Sequence, residues 1–275
     1  MSQTTLADFL RTSTLELEAA GIATARLDML VLLEDTLNTN RAQLLADSDL
    51  LISETQLRNL EKLVARRTRH EPLAYIRNKT EFCNREFFVD RRVLEPRPES
   101  ETMIELLKQV PKVPTIIDVG TGSGALAITA KLELKLVTVY GVDIDENCLE
   151  VARKNARKLA ATITLIKSNL LEAIPETLLD NAALLCNLPY VPDNFQINTA
   201  ATHEPRLAIF GGSDGLDLYR KLFNQLDQRA TKPTYILAES LPPQHEVLAS
   251  IAKQSGFVLD RTEDFIQVFK IATDR

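Results

Sequence analysis

Thr115-Ile116-Ile117-Asp118-Val119-Gly120-Thr121-Gly122-Ser123-Gly124 is the stretch that decides the fold. Four β-branched residues around Asp118 read as a buried strand, and three glycines at alternate positions let the chain turn tightly and bring backbone N–H groups close to a ligand. Downstream, apolar strands alternate with amphipathic helices. Strands are expected at 136–142, 163–167, 182–186, 235–238 and 257–259, with helices from Ser123, from Glu146, from Asp214 and over Gln244 to Gln254. This alternation predicts an α/β fold with a doubly wound, mainly parallel sheet. The last run, 265–271, follows 257–259 too closely for a helical crossover and is expected to return antiparallel.

Upstream the pattern is different. Apolar stripes begin at Leu6, Phe9 and Leu10, at Met29, Leu32 and Leu33, and at Leu57, Leu60 and Val64, the last preceded by the capping-box pattern Ser53-Glu54-Thr55-Gln56. Residues 1–72 are read as a helical bundle. Residues 73–97, with Phe82, Phe87, Phe88 and Val89 around a turn at Asn84-Arg85, are read as a β-hairpin linker. Pro98 then opens a helix, so 98–275 is assigned to the sheet domain. The cluster Arg66-Arg67-Thr68-Arg69-His70 reads as favourable charge at a helix C-terminus, with docking to an acidic partner as the alternative.

Composition narrows the classes. In 275 residues, 45% are hydrophobic and 25% charged, which is ordinary globular composition. A net charge of −6 speaks against affinity built on covering nucleic-acid phosphates. Apolar runs are too short to span a bilayer, so a cytoplasmic protein is expected. Cys83, Cys148 and Cys186 are odd in number and contain no C-x-x-C pair, which points to reduced thiols and to no metal site.

Ligands of doubly wound sheets bind outside the carboxyl ends of the strands, where the strand order reverses. Asp143 closes the second strand, roughly 20 residues beyond the first glycine, the offset at which a carboxylate reaches ribose hydroxyls. Gly120-x-Gly122-x-x-Ala125 also satisfies a relaxed dinucleotide pattern, but Asp118 just before the turn would repel phosphate and suit the ammonium or sulfonium end of a methyl donor. Asn187-Leu188-Pro189-Tyr190 follows the strand 182–186. An Asn carbonyl and a backbone carbonyl held before proline can accept both hydrogens of a planar amino group, with a tyrosine ring beside it. Gly211-Gly212-Ser213-Asp214-Gly215 matches a nucleophile elbow that Asp227 and His245 could complete, although Ser213-Asp214 also reads as a helix N-cap. His70 and His203 show no metal-ligand spacing.

These residues resemble a known family, the release factor glutamine methyltransferases of the HemK/PrmC type. The likeness is carried by Ala20-Gly21-Ile22, Ala25 to Asp28, Arg66-Arg67, Glu71 to Ile76, Val93 to Glu101, Asp118 to Gly124, and Glu204 to Ala208 with Gly211-Gly212. It implies a helical substrate-recognition domain joined to a class I methyltransferase domain, with S-adenosylmethionine as donor and S-adenosylhomocysteine as product. The implied substrate is the glutamine of the Gly-Gly-Gln loop in release factors. It further implies donor contacts from Asp118, Gly120, Thr121, Gly122, Ser123, Gly124, Asp143, Asn169, Leu170 and Asn187, catalysis at Asn187, Leu188, Pro189 and Tyr190, and substrate contacts from these and Arg97. No metal, no membrane and a monomer are expected. Two departures stand out: the family usually has proline where this chain has Leu188, and aspartate where it has Asn169. Asn-Leu-Pro-Tyr is typical of ribosomal RNA adenine dimethyltransferases, so adenine amino methylation of RNA or DNA remains an alternative, as does a non-catalytic binding scaffold that has lost turnover through Leu188.

Overall fold

The computed structural model describes residues 4–47 and 49–272. They fall into two compact units, one of residues up to Asn78 together with Asn198–His203, the other of Lys79–Ile197 together with residues from Glu204 onward.

In the helical unit, α1 (Leu6–Ala19) is capped by the Thr5 hydroxyl, α2 (Ala25–Leu37) ends on Asn38 at φ 51°, and Asn40 caps the short α3 (Arg41–Ala46). The capping box expected at Ser53 and Gln56 opens α4 (Glu54–Arg67). Leu17, Met29, Leu33 and Leu60 meet in its core, as the apolar stripes require. The basic cluster closing α4 is occupied within this unit. Arg67 Nε donates to the buried Asp28 carboxylate at 2.7 Å, and Arg66 binds Glu71 through both Nε and Nη2. Leu73–Arg77, read from sequence as part of the hairpin linker, instead forms a helical turn, α5, that buries Ala74, Tyr75 and Ile76.

The second unit begins with a hairpin of β1 (Thr80–Phe82) and β2 (Arg85–Phe87), whose turn is Cys83-Asn84 with both residues at positive φ, the type I′ geometry matched to strand twist. Phe82 and Phe87 stack edge to face at 6.2 Å. After a 3-10 turn at Pro98–Ser100 come α6 (Glu101–Gln109), β3 (Thr115–Val119), α7 (Ala125–Glu133), β4 (Thr138–Asp143), α8 (Glu146–Lys158), β5 (Thr164–Lys167) and β6 (Ala182–Cys186). The chain ends with α9 (Asp217–Asp227), β7 (Tyr235–Glu239), α10 (His245–Gln254), β8 (Phe257–Glu263) and β9 (Ile266–Ile271).

The seven-stranded sheet has the order β5-β4-β3-β6-β7-β9-β8, parallel except for β9, which runs antiparallel to both neighbours. Alternate residues of each strand feed opposite cores. Ile116, Leu185 and Leu237 pack with α6 and α7, while Ile117, Leu184 and Ile236 pack with α9 and α10. Strand β8 extends to Glu263, past the expected Leu259, with a register shift between Leu259 and Arg261. Leu136, expected to begin a strand, is exposed in the turn before β4.

Candidate active site

Parallel register brings the candidate residues to one edge. Val119 of β3 pairs with Val142 of β4 on one side and with Cys186 of β6 on the other. Gly120, Asp143 and Asn187 therefore leave three neighbouring strands at the same level. The crossovers diverge on either side of β3, so this is the switch point where such sheets bind ligands.

Gly120, Gly122 and Gly124 have φ of 77°, 52° and 81°, a backbone that side chains with a Cβ rarely adopt. Asp118 shapes this turn from beneath. Its Oδ2 accepts the Thr121 hydroxyl at 2.6 Å and the Ala127 N–H at 3.1 Å. Its Oδ1 is buried with no hydrogen-bond partner, and burial pushes the carboxyl up to about 7. Asp143 accepts the Gly122 N–H on Oδ2 and the Asp145 N–H on Oδ1, and burial raises its pKa against those bonds. Ser123 is buried, and its carbonyl accepts from Asn155 Nδ2.

Next to Asp143 a cavity of about 350 Å³ is lined by Ile144, Lys167, Ser168, Asn169, Glu172 and Ala173. Asn169 donates to Glu172 Oε1 at 2.8 Å, while Leu170, at φ 55°, turns its side chain into the core. A nucleoside-bearing methyl donor fits these groups. The cavity beside Asp143 offers apolar and polar edges for a base, and the glycine turn carries the Asp118 carboxyl beneath it, a group whose charged form a nearby cation would favour.

The second half of the site is the turn after β6. Asn187 Nδ2 donates to Ser100 Oγ at 2.8 Å, so its amide nitrogen is engaged and Oδ1 is left as an acceptor. Leu188 is 2% exposed and its Cδ2 lies 3.2 Å from where a Cβ on Gly120 would stand, so the two loops are in contact. Tyr190 Oη donates to Glu239 Oε1 at 3.0 Å, and burial beside that carboxylate pushes the phenol above its ordinary range. The buried Tyr219 hydroxyl lies 2.8 Å from the Cys186 carbonyl and 2.5 Å from that of Glu239, joining the ends of β6 and β7. Gln244 Nε2 donates to the carbonyls of Tyr190 and Asp214.

Arg97 Nη2 donates to Glu204 Oε1 at 2.6 Å, and Glu204, with one oxygen unpartnered, has its pKa raised by burial. Sequence reasoning missed Ser100, Tyr219, Glu239 and Gln244. Their partners are far away in sequence, so no local pattern marks them.

The nucleophile-elbow pattern is overturned. A 3-10 turn at Arg206–Ala208 precedes it in place of a strand, Asp227 is taken by Lys232 and Ser255, and His245 lies against the Ser240 carbonyl. The helix also begins at Asp217, later than expected, with Asp214 accepting the Leu216 N–H in a turn ahead of it. Gly215 has a different use: a Cβ there would stand 2.0 Å from the Tyr190 carbonyl oxygen. Among the described residues no group of three His, Cys, Asp or Glu converges as a metal site, and no helix is long and apolar enough to cross a membrane.

Solved structures share the architecture. The hMettl16 catalytic domain superposes with a TM-score of 0.53 at 11% identity, covering 82% of this chain and 86% of its own. A 16S rRNA N2 G1207 methyltransferase of T. thermophilus gives 0.50 at 18% identity, over 71% of this chain and 50% of its own. Residues 100–187 match the family described as ribosomal protein L11 methyltransferase. The fold, with the candidate ligand loops at its strand ends, is the one these methyltransferases share.

Sequence similarity narrows the class. Residues 8–77 match the PrmC N-terminal domain family. The release factor glutamine methyltransferase of Geobacter sulfurreducens is 31% identical over 242 residues, spanning 86% of this chain and 84% of that protein. The one of Koribacter versatilis is 34% identical over 244 residues, spanning 84% and 86%. The chain belongs to the release factor glutamine methyltransferase family.

Proposed function

We infer that this protein transfers a methyl group from S-adenosylmethionine to the side-chain amide nitrogen of the Gly-Gly-Gln glutamine in a peptide chain release factor. Family membership supports the substrate. The observation that carries the chemistry is the Asn187 amide, tied through Nδ2 to Ser100 beside the glycine loop and left with Oδ1 as an acceptor.

When bound, S-adenosylmethionine supplies an electrophilic methyl group on a positively charged sulfur. Gly120 to Gly124, Asp118, Asp143 and the Asn169-Leu170 segment hold the donor. Asn187 Oδ1 and the Leu188 carbonyl accept the two N–H bonds of the glutamine amide, and the Tyr190 ring packs beside it with its hydroxyl anchored on Glu239. Pro189 keeps Leu188 extended, and Arg97 contributes to the substrate entrance. An amide nitrogen is a poor nucleophile, and no side chain of this turn is a strong base. Positioning therefore supplies most of the acceleration; near-attack geometry is worth on the order of 7–11 kcal/mol. The proton leaves to water after transfer.

The helical unit recognises the protein substrate. Its Arg66 and Arg67 are committed to Glu71 and Asp28, which favours the structural role for that cluster. Every residue named at the chemical centre lies in one unit of one chain, so a monomer suffices. The acidic balance of −6 fits a protein substrate better than nucleic acid, and action on translation factors fits a cytoplasmic location.

Incubation with labelled donor and either a release factor or ribosomal RNA tests the substrate, with label expected on the release factor glutamine. Asn187→Ala should lower kcat roughly 100-fold or more. Label on RNA, or a wild-type rate from that variant, would refute the assignment.

A further inference from the structure

Asn187 presents an acceptor only while its amide keeps one of two nearly isosteric orientations. A flip exchanges Oδ1 for Nδ2 and turns the clamp into a donor facing the donor hydrogens of the substrate. Its nearest side-chain partner, Ser100, cannot prevent this by itself, because a hydroxyl both donates and accepts. Something beyond Ser100 must set the direction.

Glu239 ends β7 next to these groups and is 0% exposed. One of its oxygens accepts the Tyr190 hydroxyl, and the other, Oε2, is buried, with the side chains of Ser100 and Asn187 close to the carboxylate. Ser100 Oγ already accepts from Asn187 Nδ2, so its own proton is available for a neighbouring acceptor. An ionised carboxylate is an acceptor only. Building on the role assigned to Asn187 above, we propose that Glu239 is a positioning residue that polarises the chain Asn187 Nδ2–H to Ser100 Oγ–H to Glu239, locking Asn187 Oδ1 toward the substrate amide. The same carboxylate orients Tyr190, so one buried group aligns both walls of the clamp.

Burial raises the pKa of Glu239, with Glu99 adding to it, while the side chains of Ser100, Tyr190 and Asn187 favour its charged form. Tyr219 touches its backbone carbonyl, and the facing residue on β9 is the apolar Ile266. Protonation would give the carboxyl a hydrogen to donate and remove the directionality.

The variants Glu239→Gln, Ser100→Ala and the double substitution test this, with single-turnover methylation of a release factor and donor binding by calorimetry as readouts. The uncharged amide of E239Q can donate to Ser100 and permit the flip. Expected are a fall in kcat of about 100-fold in E239Q, unchanged donor affinity, and a double variant little worse than the worse single one, because both cut the same relay. The acid limb of the wild-type kcat profile should be absent in E239Q. A kcat within twofold of wild type in E239Q, or losses that multiply in the double variant, would overturn the relay. If E239Q does not fold, S100A decides: lost kcat with intact donor binding supports the relay, and full kcat ends it. A fully active Asn187→Ala would instead remove the assignment of Asn187, and the relay with it.

Discussion

The substitution Asp118→Asn should make the unliganded protein more stable and a poorer binder of its donor. Asp118 is 1% exposed, carries one unpartnered oxygen, and has its carboxyl raised from 3.8 to about 7, first by burial. A folded-state pKa above the unfolded one means that the folded protein holds this proton more tightly. Its stabilisation is complete below pH 4 and is lost as pH rises to about 7. At about 1.4 kcal/mol per unit, the cost is about 2 kcal/mol at pH 5 and about 4 kcal/mol at pH 8. The asparagine amide of the variant does not titrate, and the other raised carboxyls, Asp143, Glu204 and Glu239, stay in both proteins. The gap in unfolding free energy between variant and wild type should therefore widen by about 2–3 kcal/mol between pH 5 and pH 8. Urea unfolding at several pH values measures it. Donor binding below pH 7 should release protons from the wild type, as the ligand's ammonium favours the carboxylate, and fewer from the variant; calorimetry in buffers of different ionisation enthalpy reads this. Parallel pH curves with equal donor affinities would refute both the burial cost and the role of Asp118 toward a cation.

Other substitutions probe the supports. Tyr219→Phe removes the hydroxyl between the Cys186 and Glu239 carbonyls and should cost about 1–3 kcal/mol in urea unfolding, with a lower kcat as the strand ends relax. Gly215→Ala drives a methyl group into the Tyr190 carbonyl and should lower kcat by about 100-fold at unchanged donor affinity, and a normal rate would show that the turn tolerates displacement. Arg67→Ala strands the Asp28 carboxylate, whose side chain is 5% exposed, and should destabilise the helical unit by about 3–5 kcal/mol, visible as faster proteolysis of residues before Asn78.

The parts of this molecule that are legible in the sequence are those set by local pattern. The apolar runs at Thr115–Val119 and Ala182–Cys186 end where the strands end, because buried parallel strands need continuous apolar residues and their ligand loops begin with glycine or a polar residue. The antiparallel return of β9 follows from connection length alone. Leu73–Arg77 is not legible as a helical turn, because five residues give too little periodicity to separate one from a strand. Ser100 and Glu239 are invisible for another reason: Ser100 meets Asn187 across 87 residues, and Glu239 meets Tyr190 across 49, so only the strand order reveals them. An apolar run that stops at Ala238 also leaves the one charged residue of that strand outside it.

Leu188 shows how a local rule can be replaced by tertiary restraint. Proline at this position would narrow the backbone of Asn187 by its ring, and leucine gives up that constraint. In this fold the turn is held from outside. Val191 N–H donates to the Ile209 carbonyl, Gly211 N–H to the Val191 carbonyl, Gln244 to the Tyr190 carbonyl, and the Tyr219 hydroxyl fastens the residue before Asn187. Leucine adds something a proline ring lacks, a buried side chain reaching the loop at Gly120, so movement of the amide clamp and of the glycine turn is resisted by the same contact. On the proposed assignment, the alignment needed between a methyl donor and an amide nitrogen rests on packing between two strand ends, which a leucine at this position supplies.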